Sequence, residues 1–186
     1  MSDGYLAAGY AQFNLDDCWQ SSRNSSGGIV PDGSKFPGSD LRPFIAYVKS
    51  LGLRFGLYSD AGTATCGGRP GGMGHEVMDA ATYAEWGVQY LKYDNCNNQN
   101  VDPHTRYVAM ANALNATGVP IEFSACIWGV SDAWEWISPY ANSARIDDDI
   151  GASWDSLIRC TDASHGLSRF ASPGYWVRWR ALPAPY

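Results

Sequence analysis

The chain is predicted to be an α/β protein whose parallel strands form part of a (β/α)8 TIM barrel. Short apolar, β-prone runs alternate with helical stretches about every 30 to 40 residues, the spacing of βαβ units in a parallel sheet. Asp16, Asp17, Asp60, Asp94 and Asp149 fall at the C-terminal ends of those runs. In a β/α barrel such ends converge on one rim, where the active site lies. A doubly wound sheet fits the alternation equally well, but no Gly-x-Gly-x-x-Gly follows the first run, so a dinucleotide fold has little support.

Five strand runs are legible in order: 11–19, 53–60, 88–94, 120–126 and, more weakly, 142–149. Four helices separate or follow them. The first spans 40–51, with Ser39 or Asp40 as cap, Pro43 tolerated in the first turn and Gly52 as the stop. The second spans 76–86 and stops at Gly87. The third covers 104–114, before Gly118 and Pro120, and the fourth covers 154–164, before Gly166.

Composition narrows the function. The 186 residues are 45% hydrophobic and 17% charged, as expected of a folded chain rather than a disordered one. Thirteen Lys and Arg against 19 Asp and Glu give a net charge of −6, which argues against a nucleic-acid or anionic-membrane partner. No apolar run approaches the roughly 18 residues of a membrane span. The start, Met-Ser-Asp-Gly-Tyr, is not a signal peptide. Of the five cysteines (Cys18, Cys66, Cys96, Cys126 and Cys160), at least one is unpaired within the chain. No Cys-x-x-Cys occurs and the three histidines are far apart, so no zinc site and no cofactor are expected. Two sequons, Asn24-Ser25-Ser26 and Asn115-Ala116-Thr117, give weak support to a secretory setting.

One Asp at a strand end is most often a cap or loop residue. Several acids gathered on one rim repel each other unless they serve a purpose. That purpose is a divalent cation, sugar hydroxyls or a two-carboxylate hydrolysis. Lys92 lies two residues before Asp94, hence on the same strand face, and Arg145 lies four before Asp149. These cations favour carbohydrate chemistry over a bare Mg²⁺ cage. Trp19, Tyr58 and Trp128 are candidates to wall a sugar ring, and equally candidates for loop packing.

An ordered set of motifs then becomes specific. It comprises Asn-Leu-Asp-Asp-Cys-Trp-Gln at 14–20, Lys-Phe-Pro at 35–37, Gly-Leu-Tyr-Ser-Asp-Ala-Gly at 56–62, Thr-Cys at 65–66, Trp-Gly-Val at 86–88, Leu-Lys-Tyr-Asp-Asn-Cys at 91–96 and Cys-Ile-Trp-Gly at 126–129. Together these closely resemble the melibiase-type α-galactosidases, glycoside hydrolase family 27. The resemblance implies a β/α barrel followed by a β-sandwich domain, in a protein of the secretory pathway, extracellular or vacuolar/lysosomal. It also implies retaining hydrolysis of terminal α-galactosides. Carried over by motif, Asp94 is the nucleophile and Asp149 the acid/base. Asp149 is chosen over Asp147 and Asp148 because the motif places the acid directly before Ile150. Asp16, Asp17, Lys92 and Arg145 bind galactose, and Tyr58 lies near the ring. Cys66 and Cys96 form a disulfide beside the nucleophile. Cys126 and Trp128 line the specificity loop, where Trp128 fills the space that N-acetylgalactosaminidases leave open. Retention requires carboxyls about 5–5.5 Å apart, one ionised and one holding a proton. Lys92 favours the first state in Asp94, whereas burial and neighbouring acids favour the second in Asp149.

The resemblance breaks at both ends. The family's first strand is absent, with Met1 falling in the helix before the second. Ala-Ser-Pro-Gly-Tyr-Trp at 171–176 matches, but the Asn-Asp-Pro-Asp segment that follows in the family does not. The expectation is a partial catalytic barrel over 1–176 with about five βα units and a non-matching tail over 177–186. The first and last strands and the C-terminal sandwich are missing. Such a chain has open sheet edges and low activity. Two alternatives stay open within this reading, a non-catalytic sugar-binding product and an α-N-acetylgalactosaminidase. A Mg²⁺-dependent hydrolase is a third.

Overall fold

A computed structural model describes residues 4–178. Its main sheet has six parallel strands: β1 (Gln12–Asn14), β4 (Arg54–Asp60), β5 (Tyr90–Asp94), β6 (Glu122–Ala125), β7 (Ser143–Arg145) and β8 (Trp176–Arg178), adjacent in that order. The helices are α1 (Arg42–Ser50), α2 (Glu76–Trp86), α3 (Pro103–Ala116) and α4 (Trp154–Ala163). All four agree with the expected helices to within a few residues. Alternation on one curled parallel sheet is the partial barrel expected from the sequence. Among the described residues, the outer edges of β1 and β8 have no partner strand. Among the described residues, no helix is long and apolar enough to cross a membrane.

Three features differ from the sequence reading. A sixth strand, β8, crosses the boundary placed at 177, because Val177 and Arg178 pair with Ala144 and Arg145. The rest of the expected tail, 179–186, lies outside the described residues, as does Met1. Residues 4–9 form turns closed by Ala8 N–H to Gly4 O and Tyr10 N–H to Tyr5 O, rather than a regular helix. An antiparallel hairpin, β2 (Gln20–Arg23) with β3 (Ile29–Pro31), fills the first crossover. The guanidinium of Arg23 fastens it, donating to both Asp79 oxygens at 2.7 Å and to the carbonyls of Gly27 and Gly71.

Local chemistry explains the helix limits. The Asp40 carboxylate accepts from the N–H of Arg42, and Asp102 and Ser153 cap α3 and α4. Gly87 ends α2 at φ 73°, a left-handed conformation that costs glycine nothing. The β5 and β6 side chains facing the helices pack on α3, where the Tyr107 ring meets Tyr93 and Phe123 edge-on or tilted. The opposite face of the sheet carries the polar residues. The register that pairs Tyr58 with Lys92 and Asp60 with Asp94 sets those residues in rows across neighbouring strands.

Candidate active site

The strand ends deliver the expected residues to one place. A cavity of about 440 Å³ at the C-terminal edge of the sheet is lined by Asp16, Asp17, Tyr58, Cys66, Lys92, Asp94, Trp128, Arg145, Asp148 and Asp149. Cys126 lines the adjoining hollow of about 320 Å³, together with Asp16, Tyr58, Lys92 and Arg145. Every residue assigned to substrate or catalysis by motif therefore borders one or both of these neighbouring spaces.

Asp94 is the most constrained of them. It closes β5 and is 6% exposed. Its Oδ1 accepts from the indole N–H of Trp128 at 2.9 Å and from the N–H of Asn95 at 3.0 Å. Its Oδ2 accepts from the Tyr58 hydroxyl at 3.0 Å, with Lys92 Nζ 3.9 Å away. Behind it, the Asp94 carbonyl accepts from the Tyr107 hydroxyl and the N–H of Ala61. The Tyr58 phenol stays protonated, and so a donor, because burial and then the charge of Asp94 drive its pKa upward. The carboxylate is thus held by three donors while it borders the cavity.

Lys92 reaches across the cavity to Asp16 at 2.9 Å and lies over the Tyr58 ring. Asp17, also on the cavity wall, accepts the N–H of Gly67 at 2.7 Å and joins the first crossover to the loop after β4. Arg145 is buried and donates to Asp149 at 2.7 Å, to Cys126 Sγ at 3.2 Å and to the Asp147 carbonyl. Burial above all pushes the Cys126 thiol up to about 12, so it stays protonated beside that guanidinium.

The expected surroundings of Asp149 need correction, and the open choice for Trp19 is decided. β7 ends at Arg145, so Asp149 sits in the following loop rather than at a strand end. Its side chain is 64% exposed and paired with Arg145, so the burial expected to favour a protonated Asp149 is absent. Asp147, one of the two acids expected to crowd it, is instead paired with Arg159. Trp19, a candidate sugar platform, is core: it is 1% exposed, donates to the Tyr58 carbonyl and packs edge-on against Tyr83 and Trp86. By contrast Trp128 does reach the cavity. It takes φ 61°, followed by Gly129 at φ 77°, and this left-handed pair turns the indole back over Asp94.

The expected disulfide is present. Cys66 and Cys96 are bonded across 30 residues of chain, and Cys66 Sγ lies 3.6 Å from Asp94 Oδ2. Gly62 permits the close approach of the two loops, since a Cβ there would meet the Cys96 carbonyl at 2.0 Å. Loop-closure entropy for a bridge of this span is about 3–4 kcal/mol. Urea unfolding of Cys66→Ser/Cys96→Ser is expected to show a loss of that size.

Asp60 was legible as a strand-end acid on the same rim, but it lies behind the site and lines neither cavity. It is fully buried, and desolvation raises its carboxyl to about 7 despite the N–H donors of Gly62 and Cys96.

Comparison with known proteins identifies the family. Residues 1–181 match the family model described as alpha galactosidase A, of the melibiase group. The chain belongs to that family. It is 40% identical over 187 aligned positions to alpha-galactosidase A of Cellvibrio japonicus, covering 95% of this chain and 46% of that protein. It is 50% identical over 159 positions to an alpha-galactosidase of Coffea arabica, covering 84% and 42%. A Saccharomyces cerevisiae α-galactosidase superposes with a TM-score of 0.88 at 34% identity, over 94% of this chain and 44% of the yeast chain. An α-galactosidase structure from that yeast with raffinose gives 0.84 at 32% identity, over 94% and 44%. This melibiase-family chain thus spans less than half the length of the curated relatives it matches.

Proposed function

We propose that this chain carries the catalytic carboxylates of a retaining α-galactosidase acting on terminal, non-reducing α-D-galactose residues. The observation that carries the reading is that Asp94 and Asp149 border one cavity whose walls also carry Asp16, Asp17, Lys92, Arg145, the Tyr58 phenol and the Trp128 indole. Asp94 attacks the anomeric carbon from within its cage of donors, forming the glycosyl-enzyme bond. Asp149 donates its proton to the departing oxygen, then takes one from the water that hydrolyses the intermediate. For this, Asp149 must exchange its contact with Arg145 for one with the leaving oxygen. Its exposure in the open sheet leaves it free to do so. Asp16 with Lys92, and Arg145, supply acceptors and donors for galactose hydroxyls. The yeast relative solved with raffinose supports a galactoside as ligand. The Cys66–Cys96 bridge supports an oxidising compartment.

Trp128 supports galactose over N-acetylgalactosamine, because the indole bonded to Asp94 lines the cavity at the position where the family's N-acetylgalactosaminidases carry small residues. One experiment tests both statements. A galactose-configured cyclitol epoxide is expected to label Asp94, located by peptide mass spectrometry, with galactose protecting and N-acetylgalactosamine not. Labelling at another carboxylate would refute the nucleophile assignment. Equal protection by the two sugars would refute the specificity.

A further inference from the structure

We propose that Asp60 is a positioning residue for Asp94, clamping the turn after β4 to the turn after β5 so that the nucleophile's backbone cannot shift. The inference rests on reading Asp94 as the nucleophile. Asp60 is 0% exposed and lines neither cavity, so it acts through its neighbours.

Each of its oxygens holds a different loop. Oδ1 accepts the N–H of Gly62 at 2.7 Å, two residues on in its own turn. Oδ2 accepts the N–H of Cys96 at 3.0 Å, two residues past Asp94. Its carbonyl accepts the N–H of Gly72. Buried Arg106 closes the arrangement from α3, donating to Asn95 Oδ1 at 2.8 Å and to the Ala61 carbonyl at 3.4 Å. Residues 60–62 and 94–96 are therefore tied by one carboxylate and one guanidinium, with the disulfide at the exposed end. A neutral amide in place of Asp60 offers one acceptor where two N–H groups point, so one of the two turns must let go.

The charged and titratable groups around Asp60 are Asp94 on β5, Arg106 and Tyr107 on α3, Tyr58 on its own strand and Tyr93 on β5. The three phenols stay protonated, since burial drives their pKa values upward. Asp60 itself, raised to about 7, is mostly protonated in acid and ionised above neutrality. The clamp is strongest when both N–H groups meet a full negative charge.

The test compares the wild-type chain with Asp60→Asn by the rate at which a galactose-configured cyclitol epoxide labels Asp94. Asp60→Asn is expected to slow labelling about tenfold at about pH 8, with the deficit shrinking below about pH 6, where wild-type Asp60 is also neutral. A purely structural role would not produce a deficit that follows pH in this way. A second arm needs no variant. In NMR titration of the wild-type chain, the Asp60 carboxyl and the Cys96 and Asn95 amides are expected to share an inflection near neutrality. If Asp94 labels normally and Asp60→Asn matches wild type at every pH, the clamp is wrong and the hydrolase reading stands. If Asp94 never labels but the shared inflection is present, the hydrolase reading fails and the clamp stands. If the Asn95 and Cys96 amides do not sense Asp60, the clamp is overturned.

Discussion

Asp94→Asn is expected to lower turnover of p-nitrophenyl α-galactoside by at least about 10³-fold, or about 4 kcal/mol of barrier. The assay is best made in a closed barrel, for instance with this chain replacing the matching half of the Coffea arabica enzyme. The expected size follows from the chemistry. An amide oxygen cannot form the glycosyl ester, so the first half of a retaining reaction has no nucleophile, while Asp149, Asp16 and Lys92 remain to bind substrate. KM should therefore change far less than kcat. The fold should not suffer. Asp94 is a buried carboxylate whose lysine, 3.9 Å away, sits closer to Asp16, so neutralising it removes a desolvated charge. A melting temperature equal to or above that of the parent, together with lost activity, is the expected pair of results. Retained activity would sink the assignment.

Arg23→Met is expected to cost about 3–5 kcal/mol of stability, the usual consequence of leaving one half of a buried ion pair behind. Arg23 and Asp79 have side chains 13% and 0% exposed, and the guanidinium spends its remaining donors on two carbonyls of neighbouring loops. Even with Arg23 present, burial holds the Asp79 carboxyl above its ordinary range. Without it, Asp79 must take up a proton to stay inside. A group whose folded pKa is raised contributes stability that is present in acid and lost as pH rises through that pKa. The variant's deficit should therefore be larger at about pH 8 than at about pH 5. Urea unfolding at both values checks the sign. Arg23→Met/Asp79→Leu should recover much of the loss, because it removes the stranded charge as well. A deficit independent of pH would mean that Asp79 is not the group left unpaired.

The order of strands and helices and the gathering of acids on one rim could be read directly, because both depend on local patterns. Lys92 and Asp94 had to share a face once their run was a strand, since strand side chains alternate. What could not be read was the partner of each group. Asp149 looked like a strand-end acid held by burial, but β7 ends four residues earlier and leaves it exposed on Arg145. Trp19 and Trp128 were indistinguishable as candidate sugar platforms. One fills the core beside Tyr83, and the other is turned over Asp94 by a left-handed backbone. The hairpin of β2 and β3 had no signal in the sequence reading, and its anchor, Asp79, lies 56 residues from Arg23.

By itself, the amino-acid sequence determined the α/β alternation, the family and the identities of the residues that border the cavity. These rest on residue type and spacing along the chain. The tertiary structure alone decided which acid is caged and which is exposed, which tryptophan meets the cavity, and that Asp60 stands behind the site rather than in it. Those outcomes depend on burial and on hydrogen bonds between loops 30 or more residues apart, such as the Cys96 N–H to Asp60 contact across 36 positions. No local pattern encodes the desolvation that sets the charge state of a carboxylate.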